Sequence, residues 1–220
     1  MIKAIITGSS GMVGQGALLE CLDSSDVSDV LVINRRPINI KHPKLKELLV
    51  DDFFDLSSIE KELSGYNACF FCLGTSAAGM SEEKYQHITY DLTLHFAETI
   101  LKHNPGLTFC YVSGTGTDSQ ENSRMMWARV KGKTENDLLK LPFKAAFMFR
   151  PGYIQPLRGI KTKTKVYQIF YALLKPLYPI LKHFPKFVTD TTKVGQAMIH
   201  VALSGYEKPH LESVDINFLK

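Results

Sequence analysis

Three glycines stand close behind the N-terminus in Thr7-Gly8-Ser9-Ser10-Gly11-Met12-Val13-Gly14. This spacing suits phosphate chemistry. Gly8 permits a tight turn, Gly11 lets backbone N–H groups approach a pyrophosphate, and Gly14 lets a helix pack close to a sheet. A helix starting at this loop would hold the phosphates at its positive end. The segment Gly8, Ser10, Gly11, Met12, Val13 and Gly14 is therefore expected to bind a dinucleotide. About 20 residues beyond Gly14 comes Asn34-Arg35-Arg36, where an acidic residue would accept from the ribose 2′-OH of NAD. Two guanidiniums would instead attract a 2′-phosphate through charge-assisted bonds. The expected cofactor is NADP, with NAD as the alternative.

Residues of this kind need a rigid edge to stand on, and the chain supplies one. Short apolar runs at Ile2–Thr7, Val30–Asn34, Leu48–Val50, Ala68–Leu73, Leu107–Ser113 and Ala145–Arg150 alternate with helical stretches at Gly14–Asp23, Glu82–His103 and Trp127–Leu139. The second helix carries Tyr85, Ile88, Leu92, Phe96 and Ile100 on one stripe. The strand runs are apolar throughout, as a parallel sheet covered on both sides requires. The expected class is α/β: a Rossmann-type, doubly wound parallel sheet with helices on both faces.

The 220 residues suit a single domain, with 1–150 as core and 151–220 as a substrate-side cap plus the final elements. Thr189–Ser204 reads as a helix, capped by a Thr or Asp and packed closely through Gly195 and Ala197. Val214–Phe218 reads as a last strand. Between them Val166–Phe184 is aromatic and apolar, is broken by Pro176 and Pro179, and follows Lys161, Lys163 and Lys165. It is too short to span a bilayer and reads as a lid rather than a membrane contact. A lid of that composition favours an apolar or amphipathic small-molecule substrate.

Composition narrows the function classes further. A hydrophobic share of 45% with 22% charged residues is that of a globular chain. The net charge of +4 comes without a long basic run or zinc-finger spacing, which argues against nucleic acid. The seven histidines show no ligand spacing, so no metal is expected. Cys69 and Cys72 lie on a strand, where i and i+3 face opposite ways. With Cys21 and Cys110 they read as buried free thiols. That, and an apolar strand starting at Ile2 with no targeting segment before it, gives the expectation of a cytoplasmic protein.

The loop, together with Cys72-Leu73-Gly74-Thr75, Val112-Ser113-Gly114, Val130-Lys131-Gly132 and Phe149-Arg150-Pro151-Gly152 in this order, resembles the short-chain dehydrogenase/reductase superfamily. The likeness is to its atypical branch of NAD-dependent epimerase/dehydratases and small Tat-interacting oxidoreductases, over roughly residues 1–200. The resemblance implies that Asp52 and Phe53 flank the adenine, and that Leu73, Gly74 and Thr75 line the path to the nicotinamide ribose. It implies that Lys131 bonds that ribose, that Pro151 and Gly152 close over the nicotinamide, and that Ser113 polarises a substrate carbonyl.

One position departs. The superfamily's proton-donating tyrosine stands four residues before the lysine, and here that residue is Trp127. An indole N–H donates a hydrogen bond but does not titrate near neutrality. Three readings stay open: another tyrosine donates the proton, with Tyr153 first and Tyr111 second; the substrate needs no protein acid; or catalysis is lost and the pocket senses or scaffolds. The expected activity is oxidoreductase or epimerase chemistry at a carbonyl or alcohol. Its rival is a silent dinucleotide-binding protein.

Overall fold

In the computed structural model, which describes residues 1–160, 178 and 184–219, the apolar runs become strands. β1 (Ile2–Thr7) leads into α1 (Met12–Asp23), β2 (Val27–Asn34) and β3 (Leu45–Leu49). A 3₁₀ turn at Ser57–Glu62 precedes β4 (Ala68–Phe71). Then come α2 (Glu82–Gln86), a π-helical turn (His87–Asp91) and α3 (Leu92–His103), followed by β5 (Thr108–Val112), α4 (Met126–Leu138) and β6 (Ala145–Arg150). β7 (Tyr153–Gln155), β8 (Val188–Asp190), α5 (Thr191–Ser204), β9 (His210–Glu212) and α6 (Ser213–Phe218) complete the order.

The seven-stranded main sheet runs β3-β2-β1-β4-β5-β6-β9, and every adjacent pair is parallel. The fold class is the doubly wound α/β sheet the sequence implied. Alternate strand residues feed two cores. Ala4, Ile6, Val30, Val32, Phe70 and Phe149 pack with Leu18 and Cys21 of α1 and Val194 and Met198 of α5. Ile5, Leu31, Ile33, Phe71, Phe109 and Tyr111 pack with Phe96 and Ile100 of α3.

The strand read at Leu48–Val50 is Leu45–Leu49, Thr189 and Asp190 belong to β8 rather than to the helix after it, and β7 lies where the sequence reading has no strand. Two further elements differ in kind. The helix from Glu82 to His103 holds a π turn, and its buried face is Tyr85, Thr89, Thr93, Phe96, Ala97 and Ile100; Ile88 and Leu92 are only half-buried. A four-residue repeat outruns 3.6 residues per turn, and the wider turn absorbs the drift. Val214–Phe218 is not a strand but most of α6, and the last strand is His210–Glu212. A capping box decides this: the backbone N–H of Glu212 donates to Asp215 Oδ2 at 3.0 Å while its own carboxylate caps the helix. Of the apolar run only Ile216 enters the core, and Phe218 is 82% exposed.

Two elements of the last third, α5 and β9, build into the framework. α5 packs along α1, with Gly16 against Thr191 and Gly195 against Glu20 and Ala17, and the Asp190 side chain caps it by accepting from the Lys193 N–H at 2.9 Å. β9 extends the sheet beside β6. β7 and β8 form a small parallel pair of their own. The lysine cluster and nearly all of the aromatic stretch read as a lid lie outside the described residues. Cys69 and Cys72 do face opposite cores. All four cysteines are free, and burial pushes each thiol up, Cys72 to about 12.

Candidate functional site

The strand order reverses between β1 and β4, and the loops leaving their C-terminal ends define the crevice there. Gly8 has φ +67°, and a Cβ on it would stand 2.6 Å from the Cys72 carbonyl oxygen, so the loops after β1 and β4 touch. A Cβ on Gly14 would stand 2.3 Å from the Gly8 oxygen, which brings α1 in tightly under the loop. Gly11 is the N-cap of α1; no side chain caps it, and its first turn holds no acidic residue. These N–H groups and the positive helix end fit an anionic ligand.

On one side of the loop lies a cavity of about 230 Å³, lined by Arg35, Asp51, Asp52, Phe53, Leu73, Gly74, Thr75, Ile88 and Leu92. Asp52 is exposed and also caps its own turn, Oδ1 accepting from the Phe54 N–H at 2.9 Å. The Phe53 ring packs in the core, 6.0 Å from Phe96. Arg35 and Arg36 are both exposed, but only Arg35 lines this wall. The residue before them was not singled out by sequence. Asn34 is buried, accepts from Ser9 Oγ at 2.9 Å and donates to Glu47 on β3 at 2.9 Å. It ties the glycine loop to the sheet edge and fixes the exit of β2.

On the other side is a larger cavity of about 800 Å³, and Thr75 belongs to both walls. Its lining joins Ser113, Gly114 and Thr115 after β5, Trp127 and Lys131 of α4, Pro151 and Gly152 after β6, and Tyr85 of α2. The fold thus brings together Ser113, Lys131, Pro151 and Gly152, and sets the Trp127 indole in their wall. Lys131 donates through Nζ to the Ser113 carbonyl oxygen. Burial pulls its ammonium down to about 8, against the raising effect of Glu135.

Ser113 is arranged differently from the expected carbonyl anchor. Its hydroxyl is buried and donates to Glu135 Oε1 at 2.5 Å, with the Phe149 carbonyl oxygen a second acceptor at 3.1 Å. A hydroxyl has one proton, and here it points inward.

Glu135 is the buried group the sequence reading missed. It is fully enclosed, and besides Ser113 it receives Arg150, whose Nε lies 3.1 Å from both carboxylate oxygens and whose Nη2 donates to Oε2. Burial opposes the Arg150 charge, but Glu135 outweighs it and holds the guanidinium above its ordinary range. His210 Nε2 comes within 3.5 Å of Glu135, and burial pulls its imidazole down. Glu212 approaches Arg150 at 3.8 Å, and burial pushes its carboxyl up. The cluster stitches α4, β5, β6 and β9 together behind the cavity.

The two tyrosines named as donors are placed elsewhere. Tyr111 is 1% exposed in the α3-side core, where burial pushes its phenol up beyond use as an acid. Tyr153 is half-buried on β7, donates to Gln155 Oε1 at 2.8 Å, and is not among the residues lining the larger cavity. Among the described residues no cluster of three or more potential metal ligands occurs, and no helix is long and apolar enough to cross a membrane.

No protein-family model matches the chain. In sequence it is 28% identical over 210 residues to protein FMP52-1, mitochondrial, of Scheffersomyces stipitis, covering 94% of this chain and 91% of that one. It is 28% identical over 154 residues to protein HTATIP2 of Rattus norvegicus, covering 69% and 62%. In structure it is similar to the YIR035C short-chain dehydrogenase/reductase of Saccharomyces cerevisiae, with TM-score 0.69, 12% identity and coverage of 97% and 96%. The Bordetella bronchiseptica enzyme WbmF in complex with NAD+ gives TM-score 0.65 at 17% identity, covering 99% and 76%. The expectation of a cytoplasmic protein is overturned by these relatives, since FMP52 proteins from several yeasts are named mitochondrial. Free buried thiols and an early first strand carry no address that separates the two compartments.

Proposed function

We propose that this chain, a short-chain dehydrogenase/reductase in fold and a relative of the Tat-interacting oxidoreductase branch, binds a nicotinamide dinucleotide across the C-terminal edge of its sheet and acts on a carbonyl or alcohol of a small molecule. The observation that carries this reading is the pair of cavities meeting at Thr75 above the uncapped end of α1. The smaller cavity takes the adenosine, with Asp52 toward the adenine and Arg35 toward a ribose 2′-phosphate. Gly8, Gly11 and the first N–H groups of α1 take the pyrophosphate. Leu73, Gly74 and Thr75 lead to the larger cavity, where Pro151 and Gly152 cover the nicotinamide and Lys131 holds its ribose. NADP(H) is preferred over NAD(H), because Arg35 offers a charge-assisted fork to a phosphate. Once bound, the dinucleotide supplies or accepts a hydride; the chain orients the substrate oxygen and handles its proton. The whole of 1–220 acts as one domain.

A catalytically silent sensor or scaffold is the second reading, favoured by Trp127 and by the inward turn of the Ser113 hydroxyl. Calorimetric titration with NADPH and NADH, followed by turnover on a panel of aldehydes, ketones and quinones, separates the two. Micromolar NADPH binding with turnover supports the enzyme. Binding with no turnover supports the sensor, and no binding of either nucleotide defeats both.

A further inference from the structure

We propose that Lys131 itself passes the proton to and from the substrate oxygen, in the place of the phenol that Trp127 has displaced. This rests on the reading of the larger cavity as a hydride-transfer site. Among the described residues lining that cavity, only Tyr85 and Lys131 have side chains that titrate toward alkaline pH, and none carries a carboxylate, imidazole or thiol. Tyr85 is 1% exposed, with its hydroxyl beside Thr89, and burial holds its phenol protonated above the ordinary range. The Ser113 proton is committed to Glu135, Tyr111 is in the core, and the Tyr153 phenol donates to Gln155. Lys131 has three N–H bonds and directs one at the Ser113 carbonyl oxygen, which anchors the ammonium while two donors remain.

The charged surroundings favour a proton that moves. Glu135 lies one turn farther along α4 and attracts the ammonium, while Arg150 on β6 and His210 and Glu212 on β9 stand behind Glu135, and Tyr85 faces from α2. At Lys131 burial prevails over the attraction of Glu135, a carboxylate that Arg150 also pairs with. Its titration near 8 leaves both protonation states accessible at neutral pH, as acid–base catalysis requires. In the reducing direction, with hydride that a bound reduced dinucleotide would supply to the carbonyl carbon, a Lys131 N–H bond breaks as the substrate O–H bond forms, and the resulting amine regains its proton from solvent. In the oxidising direction the neutral amine takes the hydroxyl proton.

The test has two arms. In the free protein, trace acetylation with acetic anhydride from pH 6 to 11, read by mass spectrometry peptide by peptide, should give Lys131 a midpoint near 8, below that of the surface lysines. A midpoint among the surface lysines would overturn the proposal. In the second arm Lys131→Arg keeps charge and donors but cannot release a proton. It should bind NADPH within about tenfold of wild type by calorimetry, lose on the order of 10²-fold or more in kcat, and lose the limb of the pH–rate profile near 8. A Lys131→Arg protein that keeps kcat and the limb would overturn the proposal alone, as would loss of turnover in Tyr85→Phe with Lys131 intact. A wild-type protein that binds NADPH and turns over nothing would overturn the hydride-transfer reading and this proposal together.

Discussion

Arg35 and Arg36 are neighbours in sequence but not in the site. Both are exposed, and of the two only Arg35 lines the smaller cavity, with Asp52 and Leu73. A hydrogen bond to a charged group contributes about 1.5–3 kcal/mol, so Arg35→Ala is expected to weaken NADPH by roughly ten- to a hundredfold while changing NADH little. Arg36→Ala should change either less than about threefold. Calorimetry on the two variants checks this, and equal losses of NADPH and NADH in Arg35→Ala would remove the 2′-phosphate assignment. At this scale the sequence is legible where the signal is local. The glycine spacing marks the tight loop between β1 and α1, since such a turn is written in consecutive residues. It does not separate Arg35, which lines the smaller cavity, from Arg36, which does not. Glu135 was invisible as a buried centre, because a lone Glu on a helix ordinarily faces solvent. Its one signal was its place four residues after Lys131, on the same helix face. The direction of the Ser113 hydroxyl could be known only once Glu135 was seen behind it.

Helices and strands set the tolerances of the site. The Glu135–Arg150 pair joins α4 to β6 at the rear of the cavity and is almost wholly removed from water. Breaking such a pair strands a charge, so Glu135→Ala should cost about 3–5 kcal/mol in a urea unfolding curve. The double variant Glu135→Leu with Arg150→Met should recover most of that loss, since an apolar pair of similar volume leaves no charge buried. If the double variant is as unstable as the single one, shape rather than charge holds these elements together. The junction of β1 with α1 is stricter. In Gly14→Ala the new Cβ would fall 2.3 Å from a backbone oxygen that no rotamer change can move. The expected cost is about 1–3 kcal/mol, with NADPH affinity falling at least tenfold as the loop is pushed open, read by melting temperature and calorimetry. Element types were legible from apolar runs and helical spacing. Among the exceptions are the Glu212–Asp215 box, a local polar contact that made a helix of an apolar run, and the π turn, a change of helical period that moved Thr89 and Thr93 inward.

For the whole molecule, the described elements after Phe187 can be read either as laid on a finished core or as part of that core. Their packing favours the second. Val194, Ala197, Met198 and Val201 of α5 fill the same cluster as Ile2, Leu18 and Cys21, and β9 closes the sheet against β6. Leu211 and Ile216 are fully buried in it. A chain cut after Asp190 would therefore leave one face of the central strands exposed and β6 as an open apolar edge, the kind that pairs with other chains. Such a fragment is expected to be insoluble, or to lack a cooperative thermal transition. The full chain should melt in a single transition, and that transition should move as one with ligand. At NADPH a hundredfold above its dissociation constant, the added stability is about 2.7 kcal/mol. Differential scanning calorimetry with and without NADPH makes the distinction. Two transitions, only one of them shifted by nucleotide, would mean that the last third folds separately and that the larger cavity lies between two units rather than within one.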